Sequence, residues 1–300
     1  MMRQQHVKAD LLLLLVSLLA AAGWIFSKEA LAGMPPMLFI GSRFILASVV
    51  LCIVGRNQWA ALCSKDYKAA IVVGLLFAVA MMLWVTGLQT ADHLGEGAFI
   101  TSLSNILVPL IALSLFAQAQ PRTIWLALPV AVAGFACLAL GGSSLASGFH
   151  LEPAQLYFLA AALALALQMI YNSRAVQHMP ALLLTAIQLM VVGLCTMLLS
   201  VFTEQWPTGM SLEIAGWFFA STFIATSFRF FIQTYAMSLT PVSHAAMILT
   251  LEPAWTALIG AAWLGETMSG LQLLGCSLIF SALIINRWQW LRLLVRSNGK

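Results

Sequence analysis

The sequence predicts an all-α integral membrane protein whose ten transmembrane helices form two inverted five-helix repeats. Among its 300 residues, 62% belong to the hydrophobic set AVILMFWYC and only 8% are charged, whereas soluble domains carry about 25% charged residues. A membrane-spanning helix needs about 20 apolar residues, so ten of them use roughly 200 positions and leave no room for another domain. This composition excludes a single-pass receptor, a tail-anchored enzyme and a nucleic-acid-binding protein.

Breaks at glycines, prolines and charge clusters divide the chain into ten apolar segments. They cover 10–32, 36–55, 69–90, 95–117, 122–141, 153–175, 180–202, 214–237, 243–264 and 270–286. The run Ala20-Ala21-Ala22 is compatible with a signal-peptide cleavage site, but the apolar stretch continues to Phe26, so we predict a membrane helix. The segments group into a first repeat, 1–142, a second repeat, 143–286, and a basic aromatic tail, 287–300. That tail suits either a short helix on the inner membrane surface or a positively charged stop signal.

The charged residues predict which way the helices run. With the N-terminus in the cytoplasm, eleven of the 14 basic residues fall on the cytoplasmic side and six acidic residues fall on the outer side. The cytoplasmic basic residues are Arg3, Lys8, Arg56, Lys65, Lys68, Arg122, Arg174, Arg287, Arg292, Arg296 and Lys300. The outer acidic residues are Asp92, Glu96, Glu152, Glu204, Glu213 and Glu266. Because cytoplasmic loops are enriched in Lys and Arg, both termini are predicted to be cytoplasmic.

The two halves of the chain carry an internal duplication. A shift of 145 places Met34-Pro35 on Met179-Pro180, and a shift of 148 places six residues of the first half on identical residues of the second. Those six are Ala98, Ile100, Leu103, Leu110, Ile111 and Leu126. Five crossings are an odd number, so the second copy enters the membrane from the opposite side. Such inverted repeats are typical of alternating-access transporters, whose substrate site lies near the midplane at the repeat interface.

Five ionisable residues lie inside the predicted helices. They are Lys28, Glu29, Arg43, Arg229 and Glu252. A charge at the bilayer centre costs about 2.5–3.5 kcal/mol on insertion scales, so these residues are functional candidates by default. Lys28 and Glu29 lie near the outer end of the first helix, where reaching the membrane interface is an equal alternative. Arg43 lies deeper, and we expect it to pair with Glu29 rather than with an anionic group of the substrate.

Glu252 precedes Pro253 in the middle of the ninth segment, where proline removes a backbone hydrogen bond and bends the helix. A carboxylate beside a broken backbone is a candidate for proton coupling, as is Glu29, or for substrate contact. The alternative is a structural hinge in which Glu252 caps the freed amides. His244 lies near the inner end of the same segment. It is a candidate for titration near neutral pH, although a hydrogen-bonding role is the commoner one.

Polar side chains recur at helical spacing in three segments, so each set shares one helical face. They are Thr222, Thr226, Arg229 and Gln233 in the eighth segment, Gln168, Tyr171 and Asn172 in the sixth, and Thr101, Ser102 and Asn105 in the fourth. Each set either lines a pathway or holds helices together by hydrogen bonds. Trp24 shares a face with Lys28 and either walls a cavity or packs in the bundle.

Several of these residues belong to motifs of a known transporter family. The motifs are Trp24-Ile25-Phe26-Ser27-Lys28, Arg43-Phe44-Ile45-Leu46-Ala47, Tyr235-Ala236-Met237-Ser238-Leu239-Thr240-Pro241-Val242, Leu251-Glu252-Pro253 and Leu264-Gly265-Glu266. Together they resemble the EamA-type branch of the drug/metabolite transporter (DMT) superfamily over nearly the whole chain. The resemblance implies a ten-helix inner-membrane carrier that exports amino acids, other small metabolites or toxic compounds. It also implies a central cavity formed by helices 1, 3, 4, 6, 8 and 9.

We therefore predict a multi-pass inner-membrane secondary transporter, not an enzyme, that exports an amino acid or related small metabolite by alternating access. The candidate cavity residues are Trp24, Lys28, Arg43, Trp84, Asn105, Gln168, Tyr171, Arg229, Gln233 and Glu252. No Walker A motif is present, so a substrate gradient or protons would drive transport. The expected partners are a small-molecule substrate, membrane lipid and protons, with no nucleic acid, in a monomer or homodimer.

Other functions fit the sequence less well. A multidrug exporter agrees with the aromatic and acidic candidates. A membrane-embedded enzyme would need clustered ionisable residues, but the five histidines and five cysteines are scattered, so no metal or cofactor is expected. A non-transporting sensor would need a soluble output domain.

Overall fold

The structure is a computed structural model, and it describes residues 2–90, 94–117, 120–142, 153–207, 209–264 and 269–297. Within those ranges the regular structure is entirely helical. The α-helices are α1 (Met2–Leu31), α2 (Pro36–Val54), α3 (Ser64–Thr90), α4 (Leu94–Ser114), α5 (Arg122–Gly142), α6 (Pro153–Ala175), α7 (Ala181–Thr203), α8 (Leu212–Thr222), α9 (Arg229–Met237), α10 (Val242–Leu249), α11 (Glu252–Leu264) and α12 (Gly270–Ser297). A 3₁₀ helix, Arg56–Ala61, precedes α3, and a π-helical turn, Phe223–Phe228, joins α8 to α9.

The predicted segments map onto these helices in order. Each of the first seven segments and the tenth is one helix, the eighth comprises α8, the π-helical turn and α9, and the ninth is split into α10 and α11. Six helical stretches of the described chain are long and apolar enough to cross a membrane. Five lie in α1, α2, α3, α6 and α7, and the sixth comprises α8, the π-helical turn and α9. Three shorter apolar helices accompany them, at Ile100–Ser114, Arg122–Cys137 and Leu273–Ile285. The all-α membrane fold is thus confirmed, whereas ten crossings and cytoplasmic termini stay predictions.

The last helix extends into the predicted tail. α12 runs without a break from Gly270 to Ser297, so the tail backbone continues the final apolar segment as far as Ser297. The tail's basic and aromatic side chains lie outside the described residues, as do Asp92, Glu152 and Glu266 of the predicted outer loops.

The helix contacts repeat between the two halves of the chain. If each of the ten segments is replaced by the segment five places away, the same kinds of contact are found. The second segment packs along the seventh as α2 on α7, and the fifth along the tenth as α5 on α12. The packing of α3 on α6 has its counterpart in the packing of α1 on α8 and α9. Two copies of one five-helix unit produce this pattern.

Glycines allow α2 and α7 to approach closely. A Cβ added at Gly193 would lie 2.7 Å from the backbone N of Ile45, and one added at Gly41 would lie 2.8 Å from the backbone N of Met197. Small residues serve this purpose in membranes, where van der Waals packing between backbones replaces the hydrophobic drive for association.

Glu204, just after α7, caps the beginning of α2. Its carboxylate oxygens accept hydrogen bonds from the backbone N–H groups of Met37 at 2.7 Å and Leu38 at 2.8 Å. Ser200 Oγ also donates to this carboxylate at 2.7 Å. The first turn of a helix has unpaired N–H groups and a positive partial charge, both of which favour a carboxylate. The two repeats are therefore joined by a polar contact as well as by close packing.

The π-helical turn changes the polar face predicted for the eighth segment. Thr226 Oγ1 and Ser227 Oγ each donate to a backbone oxygen five residues earlier, at 2.9 Å and 3.1 Å. Thr222 and Thr226 are fully buried and do not line the cavity described below, whereas Arg229 and Gln233 do. The prediction of one continuous four-residue stripe was wrong, because α-helical spacing does not hold across a π-helical turn.

The ninth segment is broken where its Glu-Pro sequence predicts. α10 ends at Leu249 and α11 begins at Glu252, so Pro253 occupies the first turn of a new helix, where its missing N–H costs no helical hydrogen bond. The break also places the Glu252 carboxylate at the positive end of the α11 dipole.

Candidate functional site

A cavity of about 130 Å³ lies between the two repeats. It is lined by α1, α2, α3, α4, α6, the π-helical turn, α9, α10 and Glu252 at the start of α11. Eight of the ten predicted cavity residues line it: Trp24, Arg43, Trp84, Asn105, Gln168, Arg229, Gln233 and Glu252. The resemblance implied a cavity formed by predicted segments 1, 3, 4, 6, 8 and 9, and side chains from all six of them line it. Arg43 adds the second predicted segment.

Glu252 connects α1 with α9 across the cavity. Its Oε1 accepts a hydrogen bond of 3.0 Å from Trp24 Nε1, and its Oε2 lies 3.5 Å from Arg229 Nη2. Within the described part of the chain, no backbone amide donates to this carboxylate, so the capping of freed amides, which was the alternative considered from sequence, is not observed. The carboxylate is instead bound to side chains of both repeats and carries one of the charges facing the cavity.

Arg43 is the second cation of the cavity, and only 7% of it is exposed. Its Nη1 donates to Ser27 Oγ at 2.9 Å and to Ser221 Oγ at 2.8 Å, and its guanidinium lies 4.8 Å from the centroid of the Phe39 ring. The predicted pairing with Glu29 is wrong, since no carboxylate of the described chain lies within ion-pair distance of Arg43. Hydroxyls and ring faces surround this charge but do not neutralise it.

Sequence reasoning did not find the two serines that hold Arg43. Ser27 lies within the motif that begins at Trp24, but its role depends on the neighbour it meets. Ser221 is 178 positions from Arg43, and nothing in its local sequence distinguishes it from a packing serine.

One wall of the cavity is aromatic. The rings of Trp24 and Trp84 meet edge to face with centroids 5.0 Å apart, and those of Phe77 and Phe230 do so at 5.0 Å. The guanidinium of Arg229 lies 4.7 Å from the centroid of the Phe230 ring. Ring faces attract cations and also bury apolar surface, so this wall positions Arg229 and offers an apolar surface beside the charges.

The cavity is also lined by polar side chains that carry hydroxyl and amide groups. Thr101, Ser102, Ser104 and Asn105 of α4 line the cavity together with Gln233 of α9. Thr101 Oγ1 and Gln233 Oε1 are buried and have no hydrogen-bond partner among the described residues. Since buried polar atoms are normally paired, these two atoms are positions at which a ligand or water can bind.

Two predicted residues lie outside the cavity. Lys28 is exposed, and Tyr171 is 38% exposed and packs edge-on against Phe116, with ring centroids 5.8 Å apart. Glu29 is half-buried and does not line the cavity either. Helical spacing identifies residues that share a face but does not determine which side chain on its edge turns inward, and this is why Lys28 and Tyr171 were misplaced.

A polar network shows the helix-packing alternative in practice. Gln168 Nε2 donates to Gln188 Oε1 at 3.0 Å, and Gln188 Nε2 lies 3.5 Å from Thr234 Oγ1. Asn172 Nδ2 also donates to Thr234 Oγ1, at 3.4 Å. The network joins α6, α7 and α9, so Asn172 serves packing while Gln168 both packs and lines the cavity.

The beginning of α1 is fastened to the second repeat. Lys8 Nζ donates to the Tyr235 hydroxyl at 2.9 Å, and His244 Nε2 lies 2.8 Å from Asp10 Oδ1. His244 is thus a hydrogen-bonding neighbour, the commoner role expected for it. Its partner is 234 positions away, which sequence reasoning did not find.

A helical membrane protein with a mixed charged and aromatic cavity at a repeat interface has the architecture of a membrane transporter. The sequence matches the EamA-like transporter family over residues 7–140 and again over residues 152–288. The chain belongs to this family, as its motifs predicted.

Two relatives agree with that assignment, and one solved structure shares the fold. An uncharacterized transporter of Archaeoglobus fulgidus is 26% identical over 284 residues, which cover 94% of this chain and 86% of the relative. The uncharacterized transporter YoaV of Bacillus subtilis is 22% identical over 294 residues, which cover 95% and 99%. A protein crystal structure superposes with a TM-score of 0.78 at 18% identity, covering 96% of this chain and 99% of that one. At that identity the crystal structure supports the fold alone.

Proposed function

We propose that this protein is a secondary transporter of the inner membrane that exports a small metabolite by alternating access. The observation that supports this most is the cavity, because Arg43 of the first repeat and Arg229 and Glu252 of the second all face it. A site at the interface of two repeats is exposed to one side and then the other when the repeats rock against each other. The inverted relation of the repeats and the cytoplasmic termini are part of the proposal.

A metabolite suits this cavity better than a lipophilic cation does. A multidrug exporter of cations needs an acidic group that is free to bind positive charge. Glu252 is already bound to Trp24 and Arg229, and Arg43 adds a further positive charge to the cavity. The aromatic wall therefore favours an amphipathic metabolite.

We assign proton coupling to Glu252 rather than to Glu29, because only Glu252 lines the cavity. Protonation of this carboxylate would cancel its attraction for Arg229 at 3.5 Å and free the guanidinium to bind substrate. The assignment predicts that Glu252→Gln removes the pH dependence of counterflow in proteoliposomes, while Glu29→Gln keeps it. An unchanged pH profile in the Glu252 variant contradicts the assignment.

Transport itself can be tested before the substrate is identified. We expect cells that overproduce the protein to enrich a small set of metabolites in the medium relative to cells that lack it. The double variant Arg43→Gln/Arg229→Gln, produced to the same membrane level, should abolish the enrichment. An identical medium for overproducing and deleted cells would refute export.

A further inference from the structure

The cavity carries one positive charge that the described part of the chain does not balance. Arg229 and Glu252 neutralise each other, which leaves Arg43. Its Nη1 is engaged by two serine hydroxyls, while its Nε is buried and has no partner among the described residues. Removing such a charge from water is unfavourable unless an anion compensates it.

We propose that the transported substrate is a small organic anion and that Arg43 binds its carboxylate or other oxyanion group. This inference rests on the proposed transport function and specifies its substrate class. A guanidinium is planar and offers several N–H donors in a fork that matches an oxyanion. Ser27 and Ser221 hold Nη1 of that fork, so Arg43 is oriented before the substrate arrives.

The aromatic wall defines the rest of the substrate. Trp24, Trp84, Phe77 and Phe230 line the same cavity as Arg43, and they favour an apolar or aromatic body over a bare inorganic ion. A cavity of about 150 Å³ accommodates benzene in a protein interior. The cavity volume of about 130 Å³ is of the same order, so the apolar body of the substrate is no larger than about one ring, with its anionic group at Arg43.

The charge balance also discriminates between anions and zwitterions. The ammonium group of an amino acid needs a carboxylate or several carbonyl oxygens as acceptors. Glu252 already accepts a hydrogen bond from Trp24 and pairs with Arg229. An organic anion without an ammonium group consequently fits the cavity better than the amino acid expected from sequence.

The test uses the purified full-length protein in detergent micelles and probes of matched shape. Phenylacetate, phenylacetamide, 2-phenylethylamine and phenylalanine present one ring with an anionic, neutral, cationic or zwitterionic head group. Benzoate and phenyl phosphate serve as two further organic anions. Thermal unfolding and calorimetry should show saturable binding of at least one of phenylacetate, benzoate and phenyl phosphate. Phenylacetamide, 2-phenylethylamine, phenylalanine and chloride should not bind. Comparing the affinity for phenyl phosphate with the affinities for phenylacetate and benzoate shows whether the site prefers a phosphate or a carboxylate group.

Variants then assign the binding to Arg43. Arg43→Gln should weaken binding of the best anion about 30-fold or more, since a buried charge loses its partner, and Arg43→Lys should retain part of it. Arg56→Gln makes the same replacement at an exposed arginine and should change nothing. Without ligand, Arg43→Gln should melt at or above the wild-type temperature, whereas a purely structural arginine predicts a lower one with unchanged selectivity.

Several results would overturn the proposal. They are stronger binding of the cationic or zwitterionic probe, equal protection by chloride, which would indicate a resident inorganic ion, and no binding of any of the three organic anions. The export experiment separates this failure from failure of the transport function. Enrichment of cations or zwitterions in the medium would refute the anion assignment and leave transport intact, whereas no enrichment would refute transport.

Discussion

The pair formed by Arg229 and Glu252 offers a quantitative test of how the cavity is held together. Glu252→Gln preserves the side-chain shape and an oxygen that accepts from Trp24, but it removes the charge 3.5 Å from Arg229 Nη2. At 3.5 Å and an effective dielectric constant of about 20, the attraction is roughly 5 kcal/mol before desolvation. The two side chains are 20% and 18% exposed, so we expect a net loss of about 2 kcal/mol in the free energy of unfolding.

A double-mutant cycle measures this interaction. Unfolding by SDS in mixed micelles would be followed for the wild type, Glu252→Gln, Arg229→Gln and the double variant. We expect a coupling energy of about 1–3 kcal/mol and a double variant more stable than Glu252→Gln alone, because the double variant does not leave Arg229 without its carboxylate partner. Glu213→Gln, at an exposed position of α8, controls for loss of an acidic side chain. A coupling energy below about 0.5 kcal/mol, as for exposed ion pairs, would refute the reasoning.

Three further changes test the packing, the cavity lining and the cap between helices. Gly193→Ala should lower the free energy of unfolding by about 1–3 kcal/mol, because the added methyl group meets backbone atoms. Gly216→Ala places its methyl group in open space and should not lower it. Equal effects of the two substitutions would contradict the close approach of α2 and α7. In a cysteine-free background, a bulky maleimide on Asn105→Cys should block transport and the same label on Tyr171→Cys should not; normal transport by the first would show that Asn105 does not line the path. Glu204→Ala should cost about 1–3 kcal/mol by leaving two N–H groups unpaired, measured by the same SDS titration, and a cost no larger than that of Glu204→Gln would argue against the cap.

Much of the candidate site was accessible from sequence because charge in a membrane is costly. Arg43, Arg229 and Glu252 stood out whatever their neighbours, since an ionisable residue in an apolar segment needs compensation. The same reasoning selected Glu29 and Lys28, which lie near a helix end and do not line the cavity. Depth along a helix can be read from sequence, whereas the direction of a side chain depends on the helices packed around it.

Pairing across the fold was the part that sequence reasoning missed. Arg43 was expected to meet Glu29, yet it meets Ser27 and Ser221. Arg229 lines the cavity and Thr226 does not, because Thr226 lies within a π-helical turn that ends just before Arg229. Neither outcome has a local signal, since hydroxyl groups serve equally well in packing, in helix distortion and in binding.

The sequence by itself determined the membrane location of the chain, the order of its helices, the break before Pro253 and the family, because hydropathy, proline geometry and motifs are local properties. Only the tertiary structure decided that Glu252 is bound to Trp24 and Arg229 while Arg43 has no carboxylate partner in the described chain. That charge balance is a property of side chains brought together from both repeats. It therefore arises only when the helices pack, and it is the basis of the anion specificity that we propose for the cavity.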